Sequence, residues 1–181
     1  MAHNCFPKDV QALIRIAEDA GYDFELLRGV VEVNLEQFDR TAAKVEAAAG
    51  GSLAGTTVAV WGLTFKANTD DLRDSPSLSV ISRLVEKGAT VRAYDPAWTG
   101  EGEPIPASLR VDGLEVVGDA YAACDGAEVL VVLTEWDEFK WLDLDKVKEL
   151  LATPAVVDAR NLLDRAALLR RGFTYRAVGR S

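Results

Sequence analysis

A cysteine close to a helix start is the first group in this chain that could do chemistry. Cys5 stands two residues before Pro7, which suits a first helical turn, and Lys8 lies in that turn. Unpaired backbone N–H groups, the helix dipole and a nearby ammonium lower a thiol pKa, so this position suits a nucleophile. Asp9 lies one helical turn beyond Cys5, close enough to orient a water or accept a proton. Spacing alone leaves an inert cysteine as the commoner alternative.

A loop with basic side chains follows the first predicted strand. The run 62–76 stands where a dinucleotide fold shows G-x-G-x-x-G, but it has one glycine, Gly62. It supplies Lys66, Asn68 and Arg73 instead, side chains that suit sugar hydroxyls and phosphates. The acidic residues of the same loop are expected to form a solvated face: Asp70, Asp71 and Asp74.

Two other residues are expected to be structural. Asp95 ends the second predicted strand, where an acid binds ribose in dinucleotide folds. Without the glycine fingerprint, we expect it to be a turn residue before Pro96. Cys124 lies among small residues, and we expect it to be buried on a short helix.

Composition bounds the class of protein. The chain has 181 residues, 49% hydrophobic and 27% charged, which predicts a soluble globular core with an appended element. A net charge of -9 argues against a nucleic-acid partner, although a local cationic pocket can still bind a nucleotide. Two cysteines form neither a metal-ligand cluster nor a disulfide framework, so a reduced, cytoplasmic protein without metal is predicted. No segment reaches the roughly 18 apolar residues of a membrane span.

Helical periodicity dominates the first fifty residues and then gives way to alternating strands and helices. Apolar spacing predicts a short helix over 7–20 and a long helix over 23–49. The later order of strand, helix, strand, helix predicts an α/β fold, a Rossmann-like doubly wound parallel sheet. The predicted division is a short helical segment, a long central helix and an α/β domain: 1–22, 23–51 and 52–181.

Within the α/β region, the pattern predicts a strand buried on both faces over 128–133, helices over 140–151 and 162–171, and an edge strand over 173–178. Ligands bind beyond the carboxyl ends of the strands in such sheets. The candidate site therefore comprises 62–75 and the residues around Thr134 and at 158–161.

The long helix carries more apolar surface than one neighbouring domain covers. Leu26, Val33 and Leu35 widen its apolar stripe, which predicts packing against a second subunit or a second domain. A helix buried on one side, with a few exposed apolar residues, is the alternative.

Taken in order, these motifs resemble one family along nearly the whole chain, the UDP-glucose/GDP-mannose dehydrogenases. The segments that carry the resemblance are Cys5-Phe-Pro-Lys-Asp9, Gly62-Leu-Thr-Phe-Lys66, Arg73-Asp-Ser-Pro76, Tyr94-Asp-Pro96, Leu133-Thr-Glu-Trp136 and Val157-Asp-Ala-Arg160-Asn161. The resemblance implies an NAD-dependent, four-electron oxidation of UDP-glucose to UDP-glucuronate through a cysteine thiohemiacetal and thioester. GDP-mannose oxidation is the alternative within the family, and a non-catalytic nucleotide-binding or dimerisation module is the alternative outside it.

The resemblance also implies roles for individual residues. Cys5 would be the nucleophile, and Asp9 would help to activate water or relay protons. The nucleotide sugar would contact Phe65, Lys66 and Arg160. The cofactor would be bordered by Cys5, Phe6, Pro7 and Lys8, with Arg73 reaching the NAD side, and the 23–49 helix would form a homodimer.

The chain departs from the family pattern at its start. The family's cysteine follows a glycine-rich loop, usually Gly-Gly-Ser, whereas Cys5 follows Met1-Ala-His-Asn4. The family's N-terminal NAD-binding domain has no counterpart in these residues. We therefore expect a fragment that binds a UDP-sugar and dimerises but does not oxidise UDP-glucose by itself.

Overall fold

Two helices precede an α/β domain in the computed structural model, which describes residues 5–99 and 106–179, without the side chains of residues 5–8. The helices are α1 (Cys5–Asp19) and α2 (Glu25–Ala48). The strands are β1 (Thr57–Trp61), β2 (Thr90–Tyr94), β3 (Leu114–Val116), β4 (Val129–Val132), β5 (Ala155–Asp158) and β6 (Thr174–Ala177). Between them lie α3 (Pro76–Glu86), α4 (Ala120–Cys124), α5 (Leu144–Leu150) and α6 (Arg165–Arg170), with 3-10 turns at Ala107–Leu109 and Asp137–Trp141.

The sheet confirms the predicted α/β class. Its six strands are all parallel and run in the order β3-β2-β1-β4-β5-β6. Every residue of β4 and β5 is buried, because helices cover both faces of the sheet. The chain turns to opposite sides of the sheet after β1 and after β4, which makes their shared carboxyl end the switch point of the fold.

Alternate residues of each strand enter two separate apolar cores. Val58 and Val60 of β1 join the core beneath α2 and α3. Ala59 and Trp61 join the core beneath α4, α5 and α6, where Trp61 stacks on Phe139 with ring centroids 5.2 Å apart. Ala42 and Val45 are fully buried, so the second half of α2 is part of the core.

Helix α2 is about 36 Å long at 1.5 Å per residue, and polar contacts attach its second half to the α/β domain. Lys87 pairs with Glu46 at 2.8 Å, and Arg83 pairs with Asp39. Lys44 donates a hydrogen bond to the backbone carbonyl of Ala177. The first half is far more open.

The predicted helix over 140–151 is wrong in extent. A 3-10 turn ends at Trp141, and α5 begins only at Leu144. The carboxylate of Asp143 accepts hydrogen bonds from the backbone N–H groups of Asp145 at 2.9 Å and Lys146 at 3.3 Å, which starts a new helix there. The three-residue strand β3 has no counterpart in the prediction, because so short a segment shows no periodicity.

No helix among the described residues has the length and apolar character needed to cross a membrane.

Gly62 is the residue that lets the end of β1 pass the end of β4. Its φ is +96°, a left-handed conformation that favours glycine. A Cβ at this position would lie 2.4 Å from the Cβ of Thr134 and 2.6 Å from its backbone nitrogen. Both the conformation and the close approach therefore exclude a side chain.

We expect Gly62→Ala to lower the free energy of unfolding by roughly 2–5 kcal/mol, because strain at positive φ costs about 1–2 kcal/mol and overpacking typically about 1–3 kcal/mol. Gly51→Ala is the matched control, since Gly51 has φ +99° and nothing within 4 Å of the added Cβ. It should lose only ~1–2 kcal/mol, the strain component. Urea denaturation measures both variants, and equal losses would contradict the role assigned to the close approach.

Candidate functional site

The candidate site is the carboxyl edge of the sheet, where the loops after β1, β4 and β5 meet. The hydroxyl of Thr134 donates to the backbone carbonyl of Thr64 at 2.7 Å, which ties the first two loops together. The hydroxyl of Ser77 lies 3.2 Å from that of Thr134. Ser75 donates to the carbonyl of Leu63 at 2.7 Å and caps α3. These buried hydroxyls give the loop after β1 a defined course at the switch point.

Asp95 is fully buried at the end of β2 and supports the same loop. Its Oδ2 accepts hydrogen bonds from the backbone nitrogens of Leu63 at 2.7 Å and Thr64 at 2.9 Å, and from the Thr64 hydroxyl at 3.0 Å. The Trp136 indole donates to it at 3.2 Å, and Oδ1 accepts from the backbone nitrogen of Ala97 at 2.9 Å. The carboxylate points into the protein, so the structure supports the expected turn role and not ribose binding.

Phe65 and Lys66 follow directly and are half-buried. The Lys66 ammonium lies 5.3 Å from the centroid of the Phe65 ring. Within the described part of the chain, it forms no hydrogen bond or ion pair. The hydroxyl of Thr69 donates to the Lys66 carbonyl at 2.8 Å, and Asn68 has φ +61°, so Asn68 serves this turn.

Arg160 is held at the same edge by Asp158, the buried last residue of β5. The Asp158 carboxylate accepts from the Arg160 backbone nitrogen at 3.0 Å. The Arg160 Nε donates to the carbonyl of Leu133 at 2.6 Å and lies 3.4 Å from a carboxylate oxygen of Glu135. Neither Nη atom donates a hydrogen bond to another described residue. The side chain is 31% exposed, so this end of the guanidinium is available for an anion.

Arg73 is more exposed than the other two basic residues. Its Nε and Nη2 donate to the two carboxylate oxygens of Asp71, each at 2.9 Å. The hydrogen bond with Asp71 raises the pKa of Arg73 above its ordinary value. A ligand would have to displace the Asp71 carboxylate in order to bind this guanidinium. Asp71 is thus an ion-pair partner and not merely part of a solvated loop face.

Two cavities adjoin this edge, and both are lined by Phe38 of α2 and Pro76 of α3. The larger measures about 370 Å³ and brings together side chains from both helices and the loop: Val10, Gln11, Val30, Val31, Asn34, Leu35, Phe38, Phe65, Asp74, Pro76 and Ser79. The smaller measures about 180 Å³ and includes Arg160, Ser77 and Leu133. The structure therefore places Phe65 and Arg160 on two neighbouring cavities, while Lys66 and Arg73 line neither.

The predicted catalytic segment lies at the start of α1. The side chains of Cys5, Phe6, Pro7 and Lys8 lie outside the described part of the structure, and Asp9 is exposed. Val10 is buried and lines the larger cavity, so the first turns of α1 adjoin that cavity.

Cys124 has the expected structural role. It is fully buried on α4, and burial raises the pKa of its thiol to about 12. The thiol therefore stays protonated and unreactive near neutral pH.

Several residues of the site lack a signal in the sequence. Gln11, Asn34 and Phe38 belong to helical patterns, and only the packing of the helices against the α/β domain brings them to the cavities. Ser77 and Asp95 join the hydroxyl and carboxylate contacts through partners far away in the chain. The rule that ligands bind beyond the carboxyl ends of parallel strands predicted the region around Thr134, but it did not predict these hydrogen bonds.

A sequence profile described as UDP-glucose/GDP-mannose dehydrogenase family, UDP binding domain, matches residues 59–165. The chain is 42% identical over 177 residues to the UDP-glucose 6-dehydrogenase of Rhizobium meliloti. It is also 42% identical over 178 residues to that of Pseudomonas aeruginosa. Each match covers 98% of this chain and 39% of the relative, so the chain spans about 39% of the length of these curated relatives.

The fold is similar to that of a solved UDP-glucose dehydrogenase from Pyrobaculum islandicum, with a TM-score of 0.76 and 31% sequence identity. The similarity covers 99% of this chain and 38% of that one.

Proposed function

Because the chain belongs to the UDP-glucose/GDP-mannose dehydrogenase family, we propose that its α/β domain binds a UDP-sugar at the carboxyl edge of the sheet. We further propose that the chain is part of an NAD-dependent UDP-glucose 6-dehydrogenase that oxidises UDP-glucose to UDP-glucuronate. A GDP-mannose dehydrogenase has less support, since both curated relatives compared above are UDP-glucose 6-dehydrogenases.

The pair of cations at this edge carries the proposal. Lys66 follows β1 and Arg160 follows β5, and β4 lies between these strands. The two loops therefore begin about 10 Å apart, at two strand spacings. The Lys66 ammonium has no acidic partner among the described residues, and Arg160 approaches Glu135 only through its Nε, which leaves both Nη atoms for a ligand. Such groups suit a diphosphate, which guanidinium groups bind in a bidentate manner.

The larger cavity suits the uncharged part of such a ligand. Phe65 and Phe38 provide apolar walls, and Gln11, Asn34 and Asp74 provide hydrogen-bonding groups. Ligand pockets typically have mostly apolar walls with a few polar groups that fix the orientation of the ligand.

We assign the chemistry of the parent enzyme to the segment that precedes Val10. Cys5 is the proposed nucleophile, whose sulfur adds to the C6 carbon of the aldehyde, and Asp9 is the proposed partner that orients the water for thioester hydrolysis. In such an enzyme two molecules of NAD would each accept one hydride, the first as the C6 alcohol becomes the aldehyde and the second as the thiohemiacetal becomes the thioester. Phe6, Pro7 and Lys8 are proposed to border the cofactor with Cys5, and Arg73 to reach its side of the site.

The α/β domain itself does not fit NAD. The loop after β1 has one glycine, so it lacks the close backbone approach that a pyrophosphate needs. The carboxylate that would bind ribose, Asp95, is occupied by backbone and indole donors. We therefore propose that the main NAD site of the parent enzyme lies outside the α/β domain. A cytoplasmic location also stays a prediction.

Titration calorimetry of UDP into the 181-residue chain tests the binding site. We expect Lys66→Ala and Arg160→Ala each to raise the Kd for UDP about tenfold, because each removes a charged hydrogen bond worth ~1.5 kcal/mol. Lys140→Ala is the control, since that ammonium pairs with Asp137 at 2.7 Å on an exposed turn. It should leave the Kd unchanged. If the wild-type chain does not bind UDP, only the hypothesis of a non-catalytic module remains. If it binds GDP more tightly than UDP, the GDP-mannose alternative is favoured.

The purified 181-residue chain should not form NADH from UDP-glucose, because its α/β domain does not fit the dinucleotide. Absorbance at the NADH band measures turnover, with Cys5→Ala as the matched control for background. Turnover by the wild-type chain that disappears in Cys5→Ala would refute this prediction.

We also propose that α2 forms a homodimer through its first half. Leu26 is 73% exposed and Val33 is 54% exposed, and both line a shallow groove with Gly29 and Val30. Apolar side chains that remain this open on a long helix are typical of a contact surface.

Analytical ultracentrifugation tests the dimer. The wild-type chain should sediment at twice the monomer mass, and Leu26→Glu combined with Val33→Glu should sediment as a monomer, because like charges would meet in an apolar contact. Trp141→Glu is the control, since Trp141 is 84% exposed on a turn of the α/β domain. A dimer that survives the double substitution would place the interface elsewhere.

A further inference from the structure

Asp95 connects three parts of the carboxyl edge through one buried carboxylate. It ends β2, accepts hydrogen bonds from Leu63 and Thr64 in the loop after β1, and accepts one from Trp136 in the loop after β4. Thr64 stands only two residues before Lys66. The Trp136 indole also lies 3.2 Å from the Thr64 hydroxyl, so the two loops share this contact.

We propose that Asp95 is a positioning residue for UDP-sugar binding, which holds Lys66 in its binding position through Leu63 and Thr64 without touching the ligand. The inference rests on the proposed role of Lys66. A loop whose course is already defined loses less conformational entropy when it binds, so the carboxylate strengthens binding from beneath the site. The backbone nitrogen of Phe65 donates to the carbonyl of Asp71 at 2.8 Å, which closes the loop beyond the residues that Asp95 holds.

The role requires a carboxylate and not merely a residue of its shape. Oδ2 accepts from four donors and Oδ1 from the Ala97 backbone nitrogen. An asparagine has one carbonyl oxygen and an NH2 group that only donates. In either orientation of the amide, its NH2 would face at least one of these donors. With the NH2 at the Oδ1 position, the Ala97 N–H loses its acceptor and a neutral carbonyl oxygen is left to accept the four donors at Oδ2. With the NH2 at the Oδ2 position, all four donors lose their acceptor. Asp95→Asn therefore keeps the volume and weakens the support.

The chain contains a matched control at the other cation. Asp158 is also fully buried at a strand end, and it accepts from the backbone nitrogens of Arg160 at 3.0 Å and Leu163 at 2.8 Å. Tyr175 donates to it at 3.1 Å. Asp158→Asn should thus disturb Arg160 as Asp95→Asn disturbs Lys66, at a comparable cost to stability.

Double-mutant cycles on the 181-residue chain, with UDP titrated by calorimetry, test the proposal. Asp95→Asn should weaken UDP binding about tenfold, a coupling of the size seen between interacting residues. Added to Lys66→Ala, it should raise the Kd for UDP by less than about twofold over Lys66→Ala alone. Added to Arg160→Ala, it should raise the Kd by the full factor of about ten. Asp158→Asn should show the opposite pattern. Circular dichroism at the titration temperature verifies that every variant is folded.

The outcomes separate the two levels of the proposal. Absence of UDP binding by the wild-type chain overturns the proposed function itself, before any variant is made. If the wild-type chain binds UDP but Asp95→Asn does not change the Kd, only the positioning role is overturned. The same holds if Asp95→Asn raises the Kd by the same factor in the Lys66→Ala and Arg160→Ala backgrounds.

A gentler substitution keeps the test decisive if Asp95→Asn does not fold. Trp136→Phe removes one donor to Asp95 and leaves a large ring in a half-buried position. It should weaken UDP binding about threefold, and this effect should vanish in the Lys66→Ala background. Equal effects in the Lys66→Ala and Arg160→Ala backgrounds would overturn the proposal.

Discussion

The close approach of Gly62 to Thr134 is the constraint on which the carboxyl edge of the sheet depends. With no side chain at residue 62, the end of β1 passes so near to β4 that the Thr134 hydroxyl reaches the carbonyl of Thr64. The hydroxyl of Ser77 joins the same contact from the start of α3. One missing methyl group thus allows three elements to share buried hydrogen bonds, and the loop that carries Lys66 is built upon them.

Charge is distributed unequally across this edge. The buried carboxylates Asp95 and Asp158 turn inward, where backbone N–H groups occupy them. Within the described residues, the Lys66 ammonium has no acidic partner, and the Nη atoms of Arg160 donate no hydrogen bond, although its Nε lies 3.4 Å from Glu135. Burying an ionised group is tolerable only when it is hydrogen-bonded in this way. The proposed ligand contacts therefore come from two individual cations on an acidic chain, in a family that has a UDP binding domain.

Helix α2 belongs to two environments. Its second half is built into the core through Ala42 and Val45, and its first half exposes Leu26 and Val33. Phe38 lies between these halves and lines both cavities. The helix therefore connects the proposed contact surface to the proposed binding site.

The sequence by itself determined the class of the fold and predicted where the candidate site lies. Helical and strand periodicities are local properties, so they predicted α2, the parallel sheet and the strand ends that carry Lys66, Thr134 and Arg160, and the ordered motifs indicated the family. Tertiary structure alone decided which polar groups satisfy one another. The partners of Asp95 Oδ2 lie about thirty to forty residues away in the chain, and Phe38 reaches the cavities only because α2 packs against the domain. Such contacts depend on how distant elements pack, which no local pattern encodes.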